Sequence, residues 1–417
     1  MDQFRITGGT PLNGAVKIRG AKNSTLPLMA GALMAEEPCV LHNVPYLADI
    51  FAMDKVISAM GMGVDFAGQS MGLDPANVQS TEADYDLVRK LRASFFVLGP
   101  LLGRFGKARV SLPGGCAIGS RPVDIHLKGL EALGVEIRIE EGYVVAEGDL
   151  KGANVALDFP SVGATENIMM AASRAKGTTR LSGAAREPEI IDLADFLNKC
   201  GAKISGAGSD VIEIEGVDGL GGTEHDVIAD RIEAGTFLIA GIATGGEVTA
   251  EQCSPDHLPN FLEKLEEMGA EIERGDNYVR ARGNGRVKAT DISTQPYPGY
   301  PTDLQAQLMT LMCVAEGTSK IKESVFENRF MQAAELSRMG ADIDIDGRSA
   351  VIRGVEQLSG ARVMASDLRA SASLVIAGLM VPEGETVISR VYHIDRGYER
   401  IEERFAALGG NVRRERE

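Results

Sequence analysis

Tryptophan is absent from the 417 residues, and aromatic side chains together make up only 5%. Stacking platforms for nucleic-acid bases are therefore not expected, and packing has to rest on aliphatic, Ala and Met side chains. Cysteine is scarce and scattered: Cys39, Cys116, Cys200, Cys253 and Cys313 are odd in number and never spaced C-x-x-C. That pattern argues against a disulfide framework and against a structural zinc site. His42, His126 and His393 lack the paired spacing of metal ligands, so no metal is expected. No P-loop pattern occurs, and Gly219-Leu220-Gly221-Gly222 is too lax for a dinucleotide fingerprint, so no cofactor is expected. No uncharged apolar run reaches the length of a membrane span, and Met1-Asp2-Gln3-Phe4-Arg5 lacks the character of a signal peptide. The expectation is a cytoplasmic protein with no membrane partner.

Positive charge is also in deficit. Lys and Arg number 43 against 59 Asp and Glu, a net charge of −16. That field opposes nucleic-acid binding, and a small anionic ligand would need cations concentrated locally against the global sign. What the chain does have is the 44% hydrophobic and 24% charged balance of a globular protein, 49 glycines, and length for two to three domains.

The glycines are ordered. Ala59-Met60-Gly61, Ala132-Leu133-Gly134, Lys199-Cys200-Gly201, Glu267-Met268-Gly269, Arg338-Met339-Gly340 and Ala407-Leu408-Gly409 are variants of one phrase, with glycines 73, 67, 68, 71 and 69 residues apart. Six units of about 70 residues fill the chain. Each phrase reads as the end of an amphipathic helix at a C′ glycine, followed by a strand. Upstream lies a second helix that is apolar all round, as at Leu26 to Leu33, Ile168 to Ala172, Phe237 to Ile242, Leu308 to Val314 and Leu374 to Leu379. Each unit thus holds two helices and about four short strands. Six such units predict an α/β protein of two triplets, with apolar helices at each centre and sheets outside. The boundary is expected in or shortly after Gly216 to Gly222.

The segments before the buried helices carry polar and charged residues: Lys22-Asn23-Ser24, Arg89-Lys90-Leu91-Arg92, Ser161-Val162-Gly163, Asp230-Arg231, Pro301-Thr302-Asp303 and Asp367-Leu368-Arg369. Helix starts present unpaired N–H groups and a positive dipole end, so this recurrence points to an anion site; the plainer reading makes Ser24, Ser161 and Asp303 simple N-caps. A second concentration is Leu112-Pro113-Gly114-Gly115-Cys116-Ala117-Ile118-Gly119-Ser120-Arg121-Pro122. Its glycines and prolines describe an irregular loop, and Arg121 close to Cys116 favours a reactive thiolate. Cys39, Cys200 and Cys313 lie in apolar patterns and read as packing residues.

Several of these stretches resemble one family. Gly20-Ala21-Lys22-Asn23, Leu91-Arg92-Ala93-Ser94, Leu112-Pro113-Gly114-Gly115-Cys116 with Ile118-Gly119 and Arg121-Pro122-Val123-Asp124, Ser161-Val162-Gly163-Ala164-Thr165, Ala185-Arg186-Glu187-Pro188-Glu189, Pro301-Thr302-Asp303, Phe326-Glu327-Asn328-Arg329-Phe330, Asp367-Leu368-Arg369-Ala370-Ser371 and His393 to Arg400 together resemble the enolpyruvyl transferases that act on UDP-N-acetylglucosamine. The resemblance spans essentially the whole chain. It implies a two-domain inside-out α/β barrel with three repeats per domain: residues 22–229 as the N-terminal domain, residues 1–21 plus 230–417 as the C-terminal domain, and the active site in the cleft between them. It further implies transfer of the enolpyruvyl group of phosphoenolpyruvate to the 3-hydroxyl of the sugar with release of phosphate, the opening step of peptidoglycan synthesis, without metal or redox cofactor.

Carried over by motif, Cys116 is the general acid and the target of the epoxide antibiotic fosfomycin, Asp303 the base, and Asp367 a proton shuttle. Lys22, Arg121 and Arg396 would hold phosphate, with Arg329 and Arg369 at the carboxylate. Asn23, Arg92, Arg121, Pro122, Val123, Asp124, Ile125, Ser161, Val162, Gly163, Asp303 and Val325 match the nucleotide-sugar contacts. Where many relatives place a Lys before the Ser-Val-Gly turn, this chain has Asp158-Phe159-Pro160, which leaves Phe159 and Pro160 as backbone or shape contacts. The alternatives are the shikimate-directed enolpyruvyl transferase and a catalytically silent paralogue. Oligomeric state stays open at this level.

Overall fold

All six marker glycines, Gly61, Gly134, Gly201, Gly269, Gly340 and Gly409, take positive φ, between 90° and 104°. Each stands just after a surface helix: Ala48–Ala59, Asp124–Ala132, Pro188–Lys199, Pro259–Glu267, Met331–Arg338 and Ile401–Ala407. A strand begins within two residues of every one, at Gly63, Glu136, Lys203, Glu271, Asp342 and Asn411. The left-handed turn closes the helix and reverses the chain, which is why glycine recurs there. These coordinates are a computed structural model that describes residues 2–89, 91–112 and 123–416, with only the backbone of Arg92.

The second helix of each unit is central: Lys22–Gly31, Leu98–Phe105, Val162–Ala172, Arg231–Ala243, Gln305–Met312 and Leu368–Met380. Every residue from Leu368 to Leu379 is buried, as is every residue from Arg231 to Ile242, so these helices have no solvent face. Among the described residues, six four-stranded sheets lie around them. Typically a short edge strand runs parallel to the strand that follows the central helix, and an antiparallel hairpin completes the sheet; Glu82–Ala83 beside Lys107–Ser111, then Tyr143–Glu147 and Glu136–Glu140, is one example. Alternating burial along the strands puts one face on the helices and the other in water. This is the expected α/β arrangement with helices inside.

The described residues divide into two compact units, one of residues 2–19 with 229–416, the other of residues 20–112 with 123–228. Each has its own apolar core. In the first, Asp2–Thr7 sits between Glu385–Ser389 and Asn411–Arg416, and Asn13–Lys17 runs parallel to Glu247–Glu251. In the second, Glu224–Asp226 runs parallel to Cys39–His42 and completes the first sheet of that unit. Cys39, Cys200, Cys253 and Cys313 are buried, in keeping with packing roles for the three read that way from sequence.

Candidate active site

In the unit containing residues 229–416, an arginine from the start of one central helix and an arginine that precedes a surface helix meet on one carboxylate. Asp303 lies in a 3-10 turn, Thr302–Leu304, directly before helix Gln305–Met312. Its Oδ1 is 2.6 Å from Arg329 Nη2, and its Oδ2 accepts from Arg369 Nη2 at 2.9 Å. The two arginine side chains are only 6% and 4% exposed, whereas Asp303 retains 23%. Two cations on one partly accessible carboxylate are the local positive excess that an acidic chain needs to receive an anion.

Arg369 is held from behind. Its Nη1 donates to Tyr398 Oη at 3.2 Å, and Gln307 Nε2 donates to the same oxygen at 3.3 Å. With both approaches taken, the phenol proton points to Thr236 Oγ1 at 2.8 Å, and the Thr236 hydroxyl donates to the Ile232 carbonyl. Burial works against the Arg369 cation, but Asp303 and Tyr398 outweigh it and the guanidinium pKa rises. Burial likewise pushes the Tyr398 phenol up and keeps it a donor. Among the described residues, no acceptor meets the buried Nε of Arg329 or of Arg369. Asp367 caps helix Leu368–Met380, accepting from the amides of Arg369 and Ala370 at 2.9 and 3.0 Å. Asp230 caps Arg231–Ala243 in the same manner. These two helix starts therefore hold their own carboxylates. Arg396 ends the 3-10 turn Val391–Arg396, and burial followed by the Arg396 charge lowers the pKa of neighbouring His393.

The other unit has its own polar node. Lys22 opens helix Lys22–Gly31 and stands 3.3 Å from the buried Asp49 carboxylate. The helix is fixed in rotation by Ser24, whose hydroxyl donates to Asp192; Asp192 in turn accepts from His225 Nε2 at 2.9 Å, and Lys199 donates to His225 Nδ1 at 3.1 Å. Ser24 is thus a helix anchor, and Asp303 a bridge between arginines; of the three candidate N-caps, only Ser161 caps, accepting from the Ala164 amide. Asn23 lies within the first turn after Lys22.

Asn167, on the helix that Ser161 caps, accepts from the Gly99 amide at 2.7 Å and donates to the Phe95 carbonyl and to His126 Nδ1. It therefore ties together the 3-10 turn Arg92–Val97, helix Asp124–Ala132 and helix Val162–Ala172, which carry Arg92, Asp124, Ile125, Val162 and Gly163. Burial lowers the His126 pKa to about 4, despite the opposing charge of Asp124. Gly163 packs so closely that a Cβ there would stand 3.1 Å from Phe96 and 3.2 Å from His126. Val123 is the N-cap residue of Asp124–Ala132, and Phe159, whose carbonyl accepts from the Ser161 amide, is exposed while Pro160 is half-buried. Cys116, Arg121 and Pro122 lie outside the described residues, as does the side chain of Arg92.

Motif reading missed Glu323, Tyr398 as a hub, Gln307, Thr236, Asn167 and the Asp192–His225 pair. Their contacts cross from element to element at long sequence separations and leave no local pattern. A cavity of about 580 Å³ is lined by Asp192, Asp195, Asn198, Lys199, His225, Asp226 and Ile228; it includes none of the expected substrate residues, and its three aspartates disfavour an anion. Among the described residues, no group of His, Cys, Asp and Glu side chains is arranged to hold a metal ion. Nor is any helix of the described residues long and apolar enough to cross a membrane.

Comparison with known proteins gives this geometry a context. The chain is 54% identical over 419 residues to UDP-N-acetylglucosamine 1-carboxyvinyltransferase of Nitratidesulfovibrio vulgaris, with all of both chains covered. It is 55% identical to UDP-N-acetylglucosamine 1-carboxyvinyltransferase 2 of Carboxydothermus hydrogenoformans, with 99% of each covered. The enolpyruvyl transferase NikO from Streptomyces tendae superposes with a TM-score of 0.89 at 26% identity, covering 99% of this chain and 98% of that one. EPSP synthase from Acinetobacter baumannii shares the fold, with a TM-score of 0.77 at 18% identity over the full length of both chains. The model of the EPSP synthase family, described as 3-phosphoshikimate 1-carboxyvinyltransferase, matches residues 6–405, and the chain belongs to that family of enolpyruvyl transferases.

Proposed function

We propose that the chain transfers the enolpyruvyl group of phosphoenolpyruvate to the 3-hydroxyl of UDP-N-acetylglucosamine and releases inorganic phosphate, the first committed step of peptidoglycan assembly, in the cytoplasm. The observation that carries this reading is identity of 54–55% across whole chains to enzymes named for that reaction. In the addition step, the sugar oxygen bonds to C2 of phosphoenolpyruvate, its proton leaves to a base, and an acid delivers a proton to the methylene carbon. In the elimination step, the new methyl group gives up a proton, the C2–O bond to phosphate breaks, and the enol ether forms. Atoms balance without a redox partner.

Asp303 is the proposed base. It is partly accessible, and two guanidinium groups hold its carboxylate in place, so it needs little reorganisation to receive the proton. Arg329 and Arg369 are proposed to hold the substrate carboxylate. Keeping two buried guanidinium groups with unpaired Nε hydrogens costs about 1–3 kcal/mol each in desolvation, which supports a role other than packing. Lys22, Arg121 and Arg396 are proposed for phosphate, Cys116 for the acid, and Asp367 for proton transfer during elimination. Asn23, Arg92, Pro122, Val123, Asp124, Ile125, Ser161, Val162, Gly163 and Val325 are proposed to surround the nucleotide sugar, with Phe159 and Pro160 contributing backbone and shape. Lys128 lines a small groove together with Ile125 and Asp158, and it is proposed to supply the charge that many relatives carry on a Lys before the Ser-Val-Gly turn.

The test is phosphate release from phosphoenolpyruvate with either acceptor. The reading predicts turnover with UDP-N-acetylglucosamine and none with shikimate 3-phosphate. The reverse result would assign the chain to the shikimate-directed branch, and release with neither would indicate a silent paralogue. Replacing Cys116 with Ser should also abolish covalent labelling by fosfomycin; undiminished labelling would remove the thiol from the mechanism.

A further inference from the structure

Glu323 is a fully buried carboxylate that no sequence motif singles out. It follows strand Thr318–Lys322 and stands two residues before Val325. Oε1 accepts from Thr294 Oγ1 at 2.7 Å and from the backbone amides of Val325 and Phe326 at 2.8 and 3.0 Å. Oε2 accepts from Thr302 Oγ1 at 2.9 Å. The Thr302 hydroxyl, with its proton committed to Glu323, turns a lone pair to Arg329 Nη1 at 3.0 Å, and Arg329 reaches Asp303 with its other terminal nitrogen. One buried carboxylate thus reaches the turn that carries Asp303, the turn that carries Val325, and, through a hydroxyl, the arginine that brackets Asp303.

We propose that Glu323 is a positioning residue for Asp303, fixing the direction of the Thr302 proton and thereby the seating of Arg329 on the Asp303 carboxylate. The inference rests on the functional reading above, in which Asp303 is the base. The physical requirement is a group that only accepts hydrogen bonds. In Glu323→Gln the amide oxygen can keep the Thr294, Val325 and Phe326 donors, but the amide nitrogen then faces Thr302. The hydroxyl must accept from that nitrogen, and its own proton turns toward Arg329, itself a donor. Fold and volume are preserved while the seating of Arg329 is lost.

The experiment compares Glu323→Gln, Thr302→Val, Thr302→Ser and the double variant Glu323→Gln/Thr302→Val, using phosphate release with whichever acceptor the wild-type enzyme turns over. Glu323→Gln and Thr302→Val should each lower kcat by about 10–100-fold, while KM for the sugar acceptor moves by less than about threefold and any larger rise is confined to phosphoenolpyruvate, whose carboxylate Arg329 is proposed to hold. Thr302→Ser should restore near wild-type kcat. The double variant should be no slower than about twofold below the worse single, because both changes break one chain of contacts. Unchanged kcat in Glu323→Gln, failure of Ser to rescue, or losses that multiply in the double variant would each overturn the proposal. If Glu323→Gln does not fold, the Thr302 pair alone decides it through the dependence on a hydroxyl. A wild-type enzyme inactive with UDP-N-acetylglucosamine would contradict the functional reading instead. A crystal structure of Glu323→Gln separates the two in any case: Arg329 should leave Asp303, and a retained 2.6 Å contact would refute the positioning role.

Discussion

Asp303 bridges two buried arginines, and it is the base in the proposed reaction. With its charge removed, as in Asp303→Asn, two buried guanidinium groups would lose the carboxylate they share, leaving the longer-range charge of Asp230 on Arg369. The expected outcome is a kcat lower by about 10²–10⁴-fold together with a lower melting temperature, read by phosphate release and calorimetry. Near wild-type turnover would exclude Asp303 as base. Tyr398→Phe tests the support behind Arg369: Arg369 Nη1 loses its acceptor and Gln307 one of its two, at a cost of about 1–3 kcal/mol in urea denaturation. A change below about 0.5 kcal/mol would show that the hub is idle. Asp303 and Arg369 were legible in the sequence because they sit in motifs at helix starts. Glu323, Gln307 and Thr236 were not, since nothing in their local spacing indicates what they meet across 20 to 160 residues of chain.

At the scale of elements, the glycine-marked helix ends were the clearest signal in the sequence, because a left-handed residue after a helix is a local requirement. Gly201→Ala isolates that requirement: φ is 104° and no atom lies within 4 Å of an added Cβ. Backbone strain alone should then cost about 1 kcal/mol in chemical denaturation, and a neutral result would contradict this account of the repeat. Helix starts were less legible. Both an anion site and plain N-caps fit their sequence, and two of the starts are capped by Asp230 and Asp367, residues that the N-cap reading does not single out.

The node at Asn167 makes a pH prediction. The His126 pKa is lowered to about 4 in the folded protein, against about 6.5 for an unperturbed imidazole. Above pH 6.5 neither state binds the proton; between 6.5 and 4 only the unfolded chain does, so stability falls as the pH falls through that window. His126 is half-buried, so solvent screening discounts the effect to about 1–2 kcal/mol. Urea midpoints at pH 7 and pH 4.5 should differ less in His126→Gln than in wild type. An equal difference in both would place the acid sensitivity elsewhere.

At the scale of the whole molecule, the sixfold repeat was readable from spacing but the pairing of distant strands was not, and only the family resemblance joined residues 1–21 to the C-terminal part of the chain. Consecutive reading assigns each sheet to one stretch of chain, yet Glu224–Asp226 completes the sheet begun by Cys39–His42, and Asp2–Thr7 lies between strands from the far end of the sequence. Strand pairing over such distances is set by the tertiary fold and carries no periodic signature. Two separate cores also predict separate responses. Phe237 is fully buried against Phe405, and Phe237→Ala should destabilise its unit by about 3–5 kcal/mol while amide protection in residues 20–112 and 123–228 persists. Uniform loss of protection would show that the units unfold together.

The central claim is the identity of the acceptor and of the bond formed. Proton and phosphorus NMR of the wild-type enzyme with phosphoenolpyruvate and UDP-N-acetylglucosamine measures both. The account predicts inorganic phosphate and vinyl protons of a sugar enol ether appearing in equal amounts, with neither formed by Asp303→Asn at the same rate. Phosphate without the enol ether, or an enol ether formed only when shikimate 3-phosphate is the acceptor, would contradict it.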